Sequence, residues 1–507
     1  MAGFVPGWPL LNRLLGEAES CRKSVLPRVQ PAGCENDSHC IIAQRFFTYG
    51  RIILTATRCF CFAANGFHTG LSLLHCFVVR KIYRQPTNPA NVNMNDLVHN
   101  QAERSEGVQA VRELGEAVAA CRAALKVHAR AQFPQQWAMA QNNLGNALRD
   151  QAERSEGTAA VLRLGEAVAA YRVALEVYTR EQFPLDWAKT QNDLGNALRN
   201  QAERSEGAQV ARLLAEAEAA CRAALEVYTH EQFPQDWARM QNDLGNALSN
   251  LAERSGGTQA VRLLSEAAAA CWAALEVYTR ELFPQDWART QNNLGNALSN
   301  LAERSDGVLA VRLLDKAAAA YRAALEVYTR EQFPQKWAMT QNNLATALGN
   351  HAVRAGGAQA ERLLGEAAAA CRAALQVYTR DQFPQDWAMT QNNLGAALSY
   401  QAERSEGVQA PRLLGEAAAA CRAALEVYTR EQFPQDWAMT QNNLGTALGN
   451  HAARSEGAEA VRLLGEAEAA YRAALVIWTV NEFPPYHDLV ANNLAETEQA
   501  LRRLQSQ

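Results

Sequence analysis

The sequence predicts an all-α repeat array, built from antiparallel helix pairs that stack along one direction. Three observations carry this. From residue 101 onward the chain falls into register with itself every fifty residues, without gaps, over eight rows. Each row splits at Phe-Pro and at a Gly-containing stretch into two segments of good helix formers. Within each segment the apolar positions recur at helical spacing.

Residues 251–300 and 401–450 differ at few positions and show the pattern: Leu-Ala-Glu-Arg-Ser in one is Gln-Ala-Glu-Arg-Ser in the other, and both carry Gln-Asn-Asn-Leu-Gly near their end. The first helix of a period follows Phe-Pro, as at Phe183-Pro184, with Asp186-Trp187 next. Proline suits a helix start, where its missing N–H costs nothing, and aspartate complements the positive end of the helix dipole. This helix is expected to run to about Arg204 and to stop at Ser205-Glu206-Gly207, where glycine can turn left-handed. The second helix is expected from about Ala208 to Glu231, ended by Phe233-Pro234. Trp187, Gln191, Leu194 and Leu198 form the stripe of the first helix. Leu164, Ala167, Tyr171, Ala174, Leu175 and Tyr178 form that of the second. Alanine runs such as 267–270 let helices approach closely, and a large side chain there costs about 1–3 kcal/mol by overpacking. One pair cannot bury both faces, so stacking is obligatory.

Composition narrows the function. The 507 residues carry a net charge of -4. Ten Lys/Arg against five Asp/Glu in the first hundred residues leave the rest at about -9. A mildly acidic array is a poor match for nucleic acid, which needs clustered Lys and Arg. Eleven cysteines are present, five of them in the repeats. Cys121, Cys221, Cys271, Cys371 and Cys421 share one repeat position with Tyr171, Tyr321 and Tyr471. A position that accepts either residue is a packing site. Adjacent copies, about 9–10 Å apart, are too distant for a disulfide. Free buried thiols fit a reducing cytoplasm.

Residues Gln191-x2-Leu194-Gly195-x2-Leu198, then Ala217-x3-Cys221 and Ala224, resemble the tetratricopeptide pattern. Gln191 stands where that pattern has Trp, and Leu198 where it has Tyr. The Asn-Asn-Leu-Gly run and the longer second helix are similar to the kinesin light chain type of repeat, as found in long bacterial arrays. The resemblance covers residues 89–507. It implies a right-handed superhelical α-solenoid whose first helices line a concave groove. The fifty-residue period is longer than that of the family, with the extra residues expected around Ala208 to Leu213.

The expected organisation is seven clear pairs starting near residues 136, 186, 236, 286, 336, 386 and 436. A degenerate first helix at 89–104 precedes them, and a capping helix at 486–507 turns polar from Glu496. Residues 1–88 are irregular. Arg13 to Glu19 matches Arg462 to Glu468 letter for letter, a broken repeat remnant. Residues 59–79 contain no Lys, Arg, Asp or Glu and are long enough to span a bilayer, with Arg58, Arg80 and Lys81 as flanks. Cys34, His39, Cys40, Cys59, Cys61, His68, His75 and Cys76 match no Cys-x2-Cys pairing, so no metal is expected there.

No catalytic constellation stands out: there is no P-loop, no His-Glu-x-x-His and no Gly-x-Ser-x-Gly. Repeated carboxylates such as Glu216 and Glu226 read as a solvated face with offset ion pairs. No cofactor is implied, and no enzyme. The polar stripe of the first helix is the candidate site. Met139, Asn142, Asn146 and Arg149 lie on one face. Lys189, Asn192, Asn196 and Arg199 repeat them, followed by Arg239, Asn242 and Asn246, then Arg289, Asn292 and Asn296. Asn342, Asn392 and Asn442 continue the column. The resemblance implies that asparagines there bind the backbone of an extended peptide, since a carboxamide both donates and accepts. The first member of each Asn pair is the expected groove residue, because Asp193 and Asp243 replace the second. The alternative is that these asparagines tie adjacent helices together. Lys189, Arg239 and Arg289 early, and Met339, Met389 and Met439 later, suggest acidic ligand segments at one end and apolar ones at the other.

The sequence therefore reads as a cytoplasmic scaffold for protein or peptide partners. Two other readings compete with it. One is the sensor arm of a bacterial signalling or defence system acting with a separate effector chain. The other is a membrane-tethered assembly factor anchored by residues 59–79.

Overall fold

The structure, a computed structural model, describes residues 108–155 and 157–506. The remnant at 13–22, the apolar run 59–79, the Cys/His set of the first hundred residues and the helix expected at 89–104 lie outside the described residues.

The described residues form sixteen helices and no strand. In order they are α1 (Val108–Val127), α2 (Pro134–Glu153), α3 (Gly157–Leu175), α4 (Pro184–Glu203), α5 (Ala208–Leu225), α6 (Pro234–Glu253), α7 (Gly257–Val277) and α8 (Pro284–Glu303). Then come α9 (Gly307–Leu325), α10 (Pro334–Arg354), α11 (Gly357–Ala374), α12 (Pro384–Glu403), α13 (Gln409–Leu425), α14 (Pro434–Ala452), α15 (Gly457–Leu475) and α16 (Pro484–Gln505). Even-numbered helices are the first members of pairs and odd-numbered ones the second. Each helix packs on its neighbours in sequence, which makes the array an all-α solenoid.

Helix starts obey the proline rule: each first helix opens on the proline after a phenylalanine N-cap. The first helix ends where Ser205 Oγ donates to the Gln201 carbonyl (2.7 Å) and Gly207 turns to φ +73°. The second helix stops earlier than the sequence suggests. α5 ends at Leu225, six residues before Glu231. The β-branched and aromatic run Val227-Tyr228-Thr229 leaves the helix, and the Tyr228 side chain turns inward to pack edge-on against Phe233 at 5.8 Å. The Thr229 Oγ1 accepts from the Gln232 N–H at 3.3 Å. Residues 208–213, expected between the helices, belong to α5 itself.

The core runs through the stack. Leu194 and Leu198, Leu213 and Leu214, and their copies are buried, with alanines such as Ala217, Ala267 and Ala317 fully so. Tyr171, Tyr321 and Tyr471 are buried at the position that Cys221, Cys271, Cys371 and Cys421 share, and the cysteines are free. Burial pushes the Cys271 and Cys421 thiols up to about 12, so they stay protonated at neutral pH. The Gly of Asn-Asn-Leu-Gly explains the close approach: a Cβ on Gly295 would stand 2.6 Å from Tyr321 Cε1.

Successive first helices touch one another from α2 to α16, whereas successive second helices do not approach as closely. The stack is therefore tighter on the first-helix face. The second helices reach each other through long ion-paired side chains: Arg122–Glu166 (2.8 Å), Arg222–Glu266 (2.7 Å), Arg322–Glu366 (2.7 Å) and Arg372–Glu416 (2.7 Å), with Arg172–Glu216 alike. These carboxylates do form ion pairs, and the pairs cross from repeat to repeat. Each is about half exposed and contributes about 0–1 kcal/mol. One rung is replaced: Trp272 stands for the arginine and Lys316 for the glutamate, with the ammonium 5.5 Å from the ring centroid. The ion pair has become a cation–π contact.

The final helix is less polar inside than its sequence suggests. Leu494, Ala500, Leu501 and Leu504 of α16 pack on the core, while Arg502 and Arg503 face out.

Candidate functional site

The first-helix face is where successive pairs meet most closely, and its exposed and half-exposed positions recur at helical spacing. On α2 they are Met139, Asn143, Asn146 and Glu153; on α10, Met339, Asn343, Thr346 and Val353. The sequence expectation places Asn142 and its copies on this surface, but the structure buries them. Asn142, Asn192, Asn242, Asn292, Asn342 and Asn392 are 0–6% exposed. Helical spacing alone cannot choose between 142 and 143, since both continue from 139. The neighbouring first helix covers the 142 side.

The buried asparagines join a ladder along the stack. Asn293 Nδ2 donates to Asn242 Oδ1 at 2.9 Å, Asn393 to Asn342 at 3.1 Å, and Asn443 to Asn392 at 3.0 Å. Asn343 reaches Asn292 at 3.4 Å, and Thr340 Oγ1 donates to the same oxygen at 3.2 Å. Asn142 donates to Asp193 at 3.4 Å. A buried carboxamide needs partners, and from Asn242 to Asn392 the next repeat supplies a donor to Oδ1, whereas the Oδ1 atoms of Asn142 and Asn442 accept no hydrogen bond. Both members of the pairs 292–293, 342–343 and 392–393 thus bond across repeats, and in each of these the second member is the half-exposed one. Asn442, at the end of the ladder, is half-buried.

The remaining expected residues divide by what they touch. Asn146 accepts from Tyr171 and Asn296 from Tyr321, both at 2.7 Å. Asn196 donates to Asn192 and to Asp243, each at 3.4 Å, and Asn246 is half-buried. Arg149 lies 3.1 Å from Asp150 and 3.8 Å from Asp193, and Arg199 pairs with Glu203 at 2.9 Å. Burial raises the Asp193 carboxyl above its ordinary range, against the pull of the Arg149 charge. Lys189 is exposed.

The charge gradient also changes. Arg239 pairs with Asp236 at 2.6 Å and Arg289 with Asp286 at 2.9 Å, so these cations are already matched within their own helices. In the later repeats the arginine becomes Met389 or Met439 and the aspartate remains. Asp386 and Asp436 have no ion-pair partner among the described residues, and burial raises both carboxyls. The C-terminal half of the face therefore combines Met339, Met389 and Met439, each 37–41% exposed, with Tyr400 and unpaired acid. The sequence pattern does not single out Tyr400: it occupies the position of Asn300 and Asn350, and only a comparison of first-helix copies at that position finds it.

No family model matches the sequence, and no curated protein does. Two solved structures are similar in a broad sense. One is a circular tandem repeat protein with novel repeat topology and enhanced subunit contact surfaces: 18% identity, 80% of this chain and 93% of that one covered, TM-score 0.28. The other is the TPR domain of P58(IPK): 13% identity, 82% and 99% covered, TM-score 0.23. The class of this chain, an all-α tandem-repeat solenoid, rests on its own helices and their order. Among the described residues no helix is long and apolar enough to cross a membrane, and no group of three His, Cys, Asp or Glu is placed to hold a metal ion.

Proposed function

We propose that the chain is a non-catalytic scaffold of the tetratricopeptide kind that holds an extended segment of a partner protein along its first-helix face, in the C-terminal half from α10 to α16. The observation that carries this is the row Met339, Met389 and Met439, one per repeat on adjacent touching helices, each exposed by more than a third. Methionine adapts to varied apolar partners. Beside it, Asn343, Asn393 and Asn443 commit Nδ2 to the ladder, which leaves Oδ1 to accept from a ligand backbone N–H. Asp386 and Asp436 favour a segment whose apolar side chains are flanked by Lys or Arg.

The test is peptide display on the full chain, with M339E, M389E and M439E combined as control. Each methionine is already partly covered, so its further burial contributes about 0.5–1 kcal/mol, and the three together about 2 kcal/mol. That corresponds to more than tenfold in affinity. Selected peptides should carry apolar residues beside basic ones, and the triple variant should lose them. Peptides that bind both proteins equally would refute the assignment.

A further inference from the structure

Among the described residues, the sulfur that an oxidant can reach is gathered at one repeat position. Cys221, Cys271, Cys371 and Cys421 are buried, and Cys121 is half-buried. Burial pushes the Cys121 thiol up to about 11 and the Cys271 thiol up to about 12, so at neutral pH neither supplies the thiolate that reacts with a peroxide. Met240 is fully buried against Ala188, Ala224 and Tyr228, at the position that Thr190 and Thr290 hold in the neighbouring repeats. The thioethers left in reach are Met139, Met339, Met389 and Met439, 37–46% exposed. All four stand at the same place on the first-helix face, and the last three are on consecutive repeats. Lys189, Arg239 and Arg289, between them, carry no sulfur.

We propose that Met339, Met389 and Met439 are a reversible modification site, at which oxidation by a hydroperoxide to methionine sulfoxide releases the partner segment. This rests on the docking role proposed above for the same row. In the step, the thioether sulfur attacks one oxygen of the peroxide. The S–O bond forms and the O–O bond breaks. The sulfur gives up two electrons, and the peroxide is reduced: its other oxygen leaves, takes a proton from water and departs as an alcohol or as water. Reduction by a methionine sulfoxide reductase reverses the change, with two electrons and two protons from a dithiol and the oxygen lost as water.

The face is built so that the new oxygen cannot be accommodated under a ligand. A sulfoxide is a strong acceptor, and covering it with an apolar side chain removes its water without a replacement. The nearest amides of the same helices have no hydrogen to offer. Asn343 Nδ2 already donates to Asn292 and Asn296, and Asn393 Nδ2 to Asn342 and Thr346. Asp386 and Asp436 add acceptors and no donor. The array itself is spared, because Met240 is the one described methionine inside the packed core and it is shielded. Oxidation therefore changes what the face binds and leaves the stack intact.

Met139 and Met240 are internal controls. The full chain is treated with graded hydrogen peroxide and then with dithiothreitol, which returns cysteine disulfides and sulfenic acids to thiols and leaves sulfoxides. Peptide mapping by mass spectrometry should find added oxygen on Met139, Met339, Met389 and Met439 and none on Met240, with the helical circular dichroism unchanged. The probe is a labelled apolar, lysine-flanked peptide selected by display on the untreated chain. Its affinity should fall at least tenfold in step with oxidation of the three-residue row, and should return after treatment with methionine sulfoxide reductases. Saturating peptide should slow oxidation of Met339, Met389 and Met439 and leave the rate at Met139 unchanged. A chain with the row fully oxidised that binds the peptide as before overturns the proposal. So does a loss of binding that reduction to the thioether fails to restore. Either result leaves the docking reading standing, whereas an untreated chain that selects no such peptide removes both.

Discussion

Gly295 should resist the smallest possible enlargement, and the reason can be worked atom by atom. An alanine Cβ there would meet three ring atoms of Tyr321: Cε1 at 2.6 Å, Cδ1 at 2.8 Å and Cζ at 2.8 Å. An ordinary carbon–carbon contact is about 3.5–4.0 Å, so the ring must retreat by about 1 Å. It cannot do so freely, because it is 2% exposed and its hydroxyl is bonded to Asn296 at 2.7 Å. Overpacking of this kind costs about 1–3 kcal/mol, against a helix-propensity gain of about 0.5–1 kcal/mol for Gly→Ala. G295A should therefore lose about 1–2 kcal/mol net. The array contains the compensated version: Ala345 occupies the glycine position of its own repeat, and the residue at the facing spacing is Cys371 rather than tyrosine. A single sulfur can rotate away where a ring cannot. In a Y321C background G295A should become neutral or favourable by up to about 1 kcal/mol, a coupling well outside additivity. Long arrays need not unfold in one step, so the readout is amide hydrogen exchange across α8 and α9, supported by urea denaturation. G295A that stabilises the parent protein, or that costs as much in the Y321C background as beside the native Tyr321, would refute the packing argument.

Two further outcomes follow from the surface. W272R alone should set the introduced guanidinium against the Lys316 ammonium and destabilise slightly, whereas W272R with K316E recreates the rung seen at Arg322–Glu366; a double-mutant cycle by thermal melting should give a coupling of about 0.5–1 kcal/mol, and a zero coupling would mean the rung is decorative. At Asp386 burial raises the carboxyl, so its contribution to stability is fully present below the unfolded value of about 3.9 and is lost as pH rises through the folded value. D386N should accordingly raise the melting temperature at pH 7 and leave it unchanged at pH 3; a lower melting temperature at pH 7 would show that the favourable position of this carboxylate in the first turn of α12 outweighs its burial.

The fold was legible because the chain compares itself. Phe-Pro marks each helix start, the leucine and alanine stripes mark the buried faces, and the Cys/Tyr position declares itself as packing. What the sequence hid are relations between repeats. The step from Asn242 to Asn293 or from Arg222 to Glu266 spans 51 or 44 residues, and only the register of one pair on the next turns those separations into contacts. The burial of Asn142 beside a half-exposed Asn143 has the same origin, because the helix alone permits either to face out. The early end of the second helix is different in kind. Glu226-Val227-Tyr228 continues an acceptable helical composition, and only the packing of Tyr228 against Phe233 removes it from the helix.

In an array of near-copies, a residue shared by all repeats answers to packing, and a residue that departs needs its own account. Two departures here come with a compensating neighbour that keeps an old contact in a new form. Trp272 and Lys316 still hold two second helices together, and Ala345 with Cys371 still fills one gap. Asp315 and His351 fit less well into that class. They stand where Gly165 and Gln201 stand in an earlier repeat and Gly415 and His451 in a later one, and the His351 Nε2 has no hydrogen-bond partner. A buried polar atom without a partner costs about 1–3 kcal/mol, more than an exposed ion pair returns. The same cost falls on Asn142 Oδ1, where Asp193 replaces the donor asparagine of the next repeat, so an unsatisfied atom in this array marks the place where one copy has lost the partner that its neighbours keep.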